Sequence, residues 1–167
     1  SALDWMAATL GAPPDQPGGA YLASLAEQVS DADGVVFVPA FSGLGAPYGD
    51  SAAIGMLSGV TGGTSRSHLA RAALDAVAHQ VADVLVAIES DHQVSVEDLH
   101  ADGGATAAAG LMQIQADLLS RAILVSEVAE ASALGAAALA MRTLGLPGEP
   151  PNPVRQLLPT PMAPDRR

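Results

Sequence analysis

Gly34-Val35-Val36-Phe37-Val38-Pro39-Ala40-Phe41-Ser42-Gly43-Leu44-Gly45-Ala46-Pro47-Tyr48-Gly49-Asp50 joins a strand signal directly to a loop signal. Val35 to Val38 are β-branched or aromatic without a polar break and stop at Pro39, which predicts a strand buried on both faces. Beyond Ala40, Gly43, Gly45, Pro47 and Gly49 surround Phe41 and Tyr48, and a stretch so rich in glycine reads as a loop. Loops of this kind often line sites, because they are positioned by the scaffold without being part of its core.

Working outward, Ile54–Val60 reads as a second strand. Thr61-Gly62-Gly63-Thr64-Ser65 then opens a long helix, since Leu69, Ala73, Val77, Val81, Val84 and Ile88 recur near the helical period and Ser65 or Ser67 can cap it. Leu99–Ala101 reads as a short strand entering Asp102-Gly103-Gly104-Ala105, followed by a helix marked by Leu111, Ile114, Gln115, Leu118 and Leu119. Ala122–Val125 is a further strand, and Ala133–Leu144 a helix with Gly145 and Pro147 as stop signals. Upstream, Leu3, Met6, Ala7 and Leu10 mark one short helix, and Leu22, Leu25, Ala26 and Val29 mark another over Tyr21–Val29. Alternating strands and helices predict an α/β domain over residues 1–146, with a Pro-rich extended tail over 147–167.

Composition narrows the chemistry. The 167 residues are 49% hydrophobic but only 3% aromatic, and they include 34 alanines, so the core is one of Ala, Val and Leu under closely packed helices. All seven cations are arginines, and 18 acids leave a net charge of −11. That balance argues against a nucleic-acid or anionic-membrane surface, which needs clustered cations. With no cysteine there is no disulfide, thiolate chemistry or Cys-ligated zinc. No apolar run approaches the roughly 18 residues of a membrane span, and the N-terminus lacks the pattern of a secretion signal. The chain reads as soluble, acidic and cytoplasmic.

The two strand-to-helix turns, Thr61-Gly62-Gly63-Thr64 and Asp102-Gly103-Gly104, are the candidate ligand loops. Glycine removes the Cβ that keeps a ligand off the backbone, and exposed N–H groups at a helix start favour a phosphate or leave room for a flat base. The competing reading is steric, since such turns need glycine whether or not anything binds. A P-loop is excluded, because its motif requires a lysine the chain lacks, and no Gly-x-Gly-x-x-Gly opens a βαβ unit. Asp75, His79 and Asp83 fall on one helical face and invite a metal reading. An ordinary polar helix face, with Arg71 pairing to Asp75 one turn on, explains them better, so no metal site is assigned. No serine sits in a nucleophile-elbow pattern.

The run Phe37 to Tyr48 resembles the glycerol kinases of the FGGY carbohydrate kinase family. Gly55-Met56-Leu57-Ser58-Gly59-Val60 and His68-Leu69-Ala70-Arg71-Ala72-Ala73-Leu74-Asp75 resemble that family's second signature. Asp102-Gly103-Gly104-Ala105, Leu111 to Asp117 and Ala133-Leu134-Gly135-Ala136-Ala137 follow at its spacing. The resemblance implies an actin-like (ribonuclease H-like) ATPase domain, the C-terminal half of a two-domain sugar kinase with its active site between the domains. It further implies ATP and Mg²⁺ as cofactors, with a polyol such as glycerol as substrate. Gly63 and Ser67 fall where the family borders the nucleotide, Gly103 and Gly104 fall in its adenosine turn, and Ala108 stands where it usually carries a purine-binding Asn. The catalytic base is expected in an N-terminal kinase domain outside this chain, so no catalytic residue is assigned.

Gly62 and Gly49 replace the Arg and Trp common in glycerol kinases, and Ala109 and Gly110 replace larger residues. With Ala108, these departures predict weak adenine binding. Two readings follow: the nucleotide-binding portion of a polyol kinase that is inactive alone, or a degenerate stand-alone nucleotide-binding or interaction module derived from one. Either leaves the Val35–Val38 edge without its full set of strands, which predicts marginal stability or a homo-oligomer formed through that edge.

Overall fold

The computed structural model describes residues 1–128, 130–147 and 153–161. Its first helix, α1 (Ala2–Thr9), begins in a capping box: the Asp4 N–H donates to Ser1 Oγ at 3.3 Å, and the Asp4 carboxylate accepts from the Ser1 ammonium at 3.0 Å. The second, α2 (Gly18–Ala26), starts and ends three residues earlier than the apolar spacing predicts. Glycine explains the early start, because a Cβ on Gly18 would lie 2.7 Å from Asp4 Oδ1 and 3.0 Å from its Cα. Here the start of α2 presses directly on α1.

Strand β1 (Val36–Val38) pairs antiparallel with β2 (Met56–Ser58), with Phe37 opposite Leu57. The expectation of burial on both faces is corrected. Phe37 is buried, whereas Val36 is 54% exposed, because the strand alternates and only its inner side meets the helices. Helix α3 (Arg66–His92) begins at Ser65, one of the two predicted caps, whose Oγ accepts the His68 N–H at 3.4 Å. Strand β3 (Asp98–Ala101) leads through a single 3₁₀ turn (Gly104–Ala107) into α4 (Ala109–Leu119), then β4 (Ala122–Ser126) and α5 (Ala131–Thr143).

Within the stretch read as a Pro-rich extended tail, β5 (Val154–Leu157) pairs into the sheet, while residues 148–152 and 162–167 of that stretch lie outside the described residues. Strand β4 is the centre, parallel to β3 and antiparallel to β5. The described residues thus form a two-stranded and a three-stranded sheet rather than one continuous layer. Helices separate them: α3 packs on β1 on one side and on α4 on the other, and α4 packs on β4. Leu22, Leu74, Leu111 and Ile123 are fully buried at the centre. Buried Ala70, Ala73, Ala78 and Ala116 let the helix backbones approach, as the alanine-rich composition predicts. The buried Gln115 amide donates to the Ala78 carbonyl at 3.3 Å, tying α4 to α3. Among the described residues no helix is long and apolar enough to cross a membrane.

Candidate functional site

Parallel strands β3 and β4 end side by side, Ala101 opposite Val125, and the chain leaves β3 into Asp102-Gly103-Gly104. Ligands of open α/β sheets bind outside the carboxyl ends of such strands. A cleft of about 400 Å³ opens here, bordered by Gly103, Gly104, Thr106, Glu127, Glu130 and Arg155 among others. Gly103 has φ +89°, a conformation that glycine adopts at no steric cost. A Cβ built on Gly103 or Gly104 would meet nothing within 4 Å, so both backbones face open space. The turn is tied internally, since the Thr106 hydroxyl donates to the Gly103 carbonyl at 2.8 Å. A flat group can therefore rest on bare peptide without displacing any side chain.

Gly63 lies in the turn before α3, where its N–H donates to Thr61 Oγ1 at 3.2 Å and the Thr61 N–H donates to Thr64 Oγ1 at 2.9 Å. Ser67, one turn into α3, is 7% exposed, and its hydroxyl donates to Gln28 Oε1 at 3.1 Å. Ala108 is 2% exposed and packs toward α2, where a Cβ on Gly19 would sit 3.6 Å from its own. The structure thus brings Gly103 and Gly104 into one cleft, leaves Gly63 on an exposed turn, and turns Ser67 and Ala108 inward. Glu127, Glu130 and Arg155 were not singled out from sequence. The first two carry no motif, and Arg155 belongs to a stretch read as tail.

The glycine-rich loop that follows β1 is a second organised region. The Leu44 N–H donates to the Asp50 carbonyl at 2.7 Å, and a Cβ on Gly43 would fall 2.6 Å from that same oxygen. Trp5 of α1 stacks with Phe37 at 6.2 Å between centroids and meets Phe41 edge-on at 4.9 Å. The Tyr48 hydroxyl donates to Asp83 Oδ2 at 2.8 Å, and this bond holds the phenol above its ordinary pKa. Tyr48 and Asp83 also border a mainly apolar cleft of about 390 Å³ between β1 and α3. On the face that invited a metal reading, Asp75 pairs with Arg71, whose Nε lies 2.8 Å from Asp75 Oδ1, and Asp83 accepts the Tyr48 hydroxyl.

The chain is 52% identical over 129 residues to the glycerol kinase of Alkalilimnicola ehrlichii, an alignment covering 77% of this chain. It spans about a quarter of that relative's length, 26%. The crystal structure of Plasmodium falciparum glycerol kinase with ADP superposes with a TM-score of 0.75 at 35% identity, covering 86% of this chain and 28% of that one. A xylulose kinase from Rhodospirillum rubrum gives a TM-score of 0.76 at 29% identity, covering 96% and 33%. These neighbours share the actin-like ATPase fold expected for the domain. The C-terminal domain of the FGGY family of carbohydrate kinases matches residues 1–144, and the chain belongs to that family.

Proposed function

We propose that this chain is the nucleotide-holding portion of an ATP-dependent polyol kinase whose substrate is glycerol, and that it is inactive without an N-terminal kinase domain. The observation that carries the nucleotide reading is the Gly103–Gly104 turn, whose backbone opens into a cleft at the carboxyl ends of β3 and β4. Identity of 52% to a glycerol kinase over 129 residues supports glycerol over a pentulose. Gly103 and Gly104 would carry the adenosine on their backbone, and Gly63 would border the phosphates at the start of α3. Ser67 and Ala108, with side chains turned inward, would shape those two backbones rather than touch the ligand directly.

ATP, when bound, supplies the phosphoryl group that passes to a polyol hydroxyl. In-line transfer depends on positioning, charge neutralisation and exclusion of water, so this chain forms one wall of the site while the base acts from the other domain. Mg²⁺ would be carried by the nucleotide phosphates. Among the described residues no three carboxylate or imidazole groups converge to hold it. We place the enzyme in the cytoplasm, where ATP is supplied.

A coupled ADP-release assay tests the reading. The chain alone is expected to show no glycerol-dependent turnover, and the full reading frame that contains it is expected to phosphorylate glycerol in preference to xylulose. Turnover by the purified chain alone, or a full-length enzyme that prefers xylulose, would overturn the corresponding part.

A further inference from the structure

We propose that Arg155 is part of the nucleotide site, its guanidinium stacking on the face of the purine opposite the Gly103–Gly104 backbone; the proposal rests on the nucleotide reading above. The register places it there. Directly paired residues of neighbouring strands project to the same side of a sheet, and Val125 of β4 is paired with Ala101 on β3 and Arg155 on β5. Val125 is buried, and Leu157, two residues beyond Arg155, packs against the core. Arg155 therefore stands on the core-facing side of its strand, a side ordinarily given to apolar residues. It is nonetheless exposed, and it borders the same cleft as Gly103 and Gly104, which have no side chains to cover it.

Among the described residues its charge is also unspent. The ion pairs among the described residues join Ser1 to Asp4, Arg71 to Asp75 and Arg121 to Glu89, and none uses Arg155. Its strand is held at both ends: the Glu127 N–H donates to the Pro153 carbonyl at 2.9 Å, and the Thr160 N–H donates to Asp117 Oδ1 at 2.6 Å. Little ordering of the backbone is left to oppose binding. A guanidinium is planar and weakly hydrated, and it stacks readily on aromatic rings. Glu127 and Glu130 border the same cleft, so a phosphate seated there would be repelled by two carboxylates, whereas an uncharged base would not be.

The test is an NMR titration of the full chain with adenosine and, separately, with ADP, repeated for Arg155→Gln, Arg155→Lys and Gly104→Val. Arg155→Gln should weaken adenosine and ADP equally, by about two- to fivefold, as expected for a stacked cation at an exposed site. Arg155→Lys, which keeps the charge and loses the plane, should not restore the affinity fully. Equal affinity of Arg155→Gln and wild type, with Gly104→Val abolishing binding, would overturn the role of Arg155 and leave the nucleotide site standing. A loss confined to ADP would also overturn it, making Arg155 a phosphate contact, and full rescue by lysine would overturn the stacking by showing that charge alone suffices. Wild-type chain that fails to respond to ADP, or binding indifferent to Gly104→Val, would overturn the underlying reading and the proposal with it. Unchanged dispersion of the free spectra shows that each variant is folded.

Discussion

The Tyr48 hydroxyl and the Asp83 carboxylate, 35 positions apart in sequence, meet at 2.8 Å and fasten the glycine-rich loop after β1 to the middle of α3. The bond favours the neutral phenol, first by hydrogen bonding and then by burial and the nearby negative charge, so Tyr48 ionises above its ordinary pKa. The stabilisation is fully present below the ordinary tyrosine pKa and is lost as pH rises through the higher folded value. An ultraviolet pH titration should show a delayed tyrosinate step that Asp83→Asn shifts back and Tyr48→Phe removes. Tyr48→Phe should also lower the melting temperature slightly at neutral pH and not at all at strongly alkaline pH.

Glu89 of α3 accepts two bonds from the Arg121 guanidinium, at 2.6 and 3.1 Å, just ahead of β4. These bonds, together with the Val96 N–H, hold its carboxyl below the usual pKa. A depressed carboxylate contributes stability above its unfolded pKa, and that contribution fades as pH falls through the folded value. Glu89→Gln should therefore lower the melting temperature at neutral pH, while wild type and variant converge at acid pH. Thermal melts across the acid range read this directly; parallel curves at every pH would mean that the pair contributes nothing.

Gly59 ends β2 with φ +78°, and a Cβ there would lie 2.0 Å from the Gly34 carbonyl oxygen. No side chain can relieve that clash, because the obstacle is backbone. Gly59→Ala should destabilise the β1–β2 pair by more than about 1 kcal/mol, the scale of left-handed strain alone. Gly45→Ala, where a Cβ meets nothing within 4 Å, should be close to neutral. Urea denaturation of the two variants separates a local steric demand from a general preference for glycine in this region.

Val36, Ile54, Met56, Leu57 and Val60 leave the two-stranded sheet with an exposed apolar surface. A two-stranded sheet also has unpaired strand edges, and edge plus apolar surface is a template for another chain. The isolated chain should scatter light increasingly with concentration despite its net charge of −11. Val36→Lys should suppress that scattering without unfolding the protein, because the side chain already faces outward. Scattering unchanged by Val36→Lys would exclude this edge as the contact.

What could be read in advance was local. Ser65 before a helical period, and glycines immediately after Leu99–Ala101, announce a cap and a turn because short-range sterics and hydrogen bonding dictate both. The burial of Val36 was misjudged because a hydrophobic run does not reveal whether a second layer covers its outer side. Ser67 and Ala108 could be placed near a site by resemblance, but their inward direction depends on Gln28 and Gly19, residues far away in sequence. Strand β5 was hidden for a similar reason. A Pro-rich context suggests no pairing, and its partner, β4, lies on the far side of α5 in the chain.

The pairing of β5 with β4 sets an order of assembly. During synthesis β3, the glycine turn and β4 emerge well before residues 153–160, so the cleft first exists with one side open. A chain halted near Pro147 would present Gly103 and Gly104 without the strand that brings Arg155 beside them, and without the Asp117–Thr160 contact that fastens it. Full affinity at this turn would then arrive only once β5 has paired with β4.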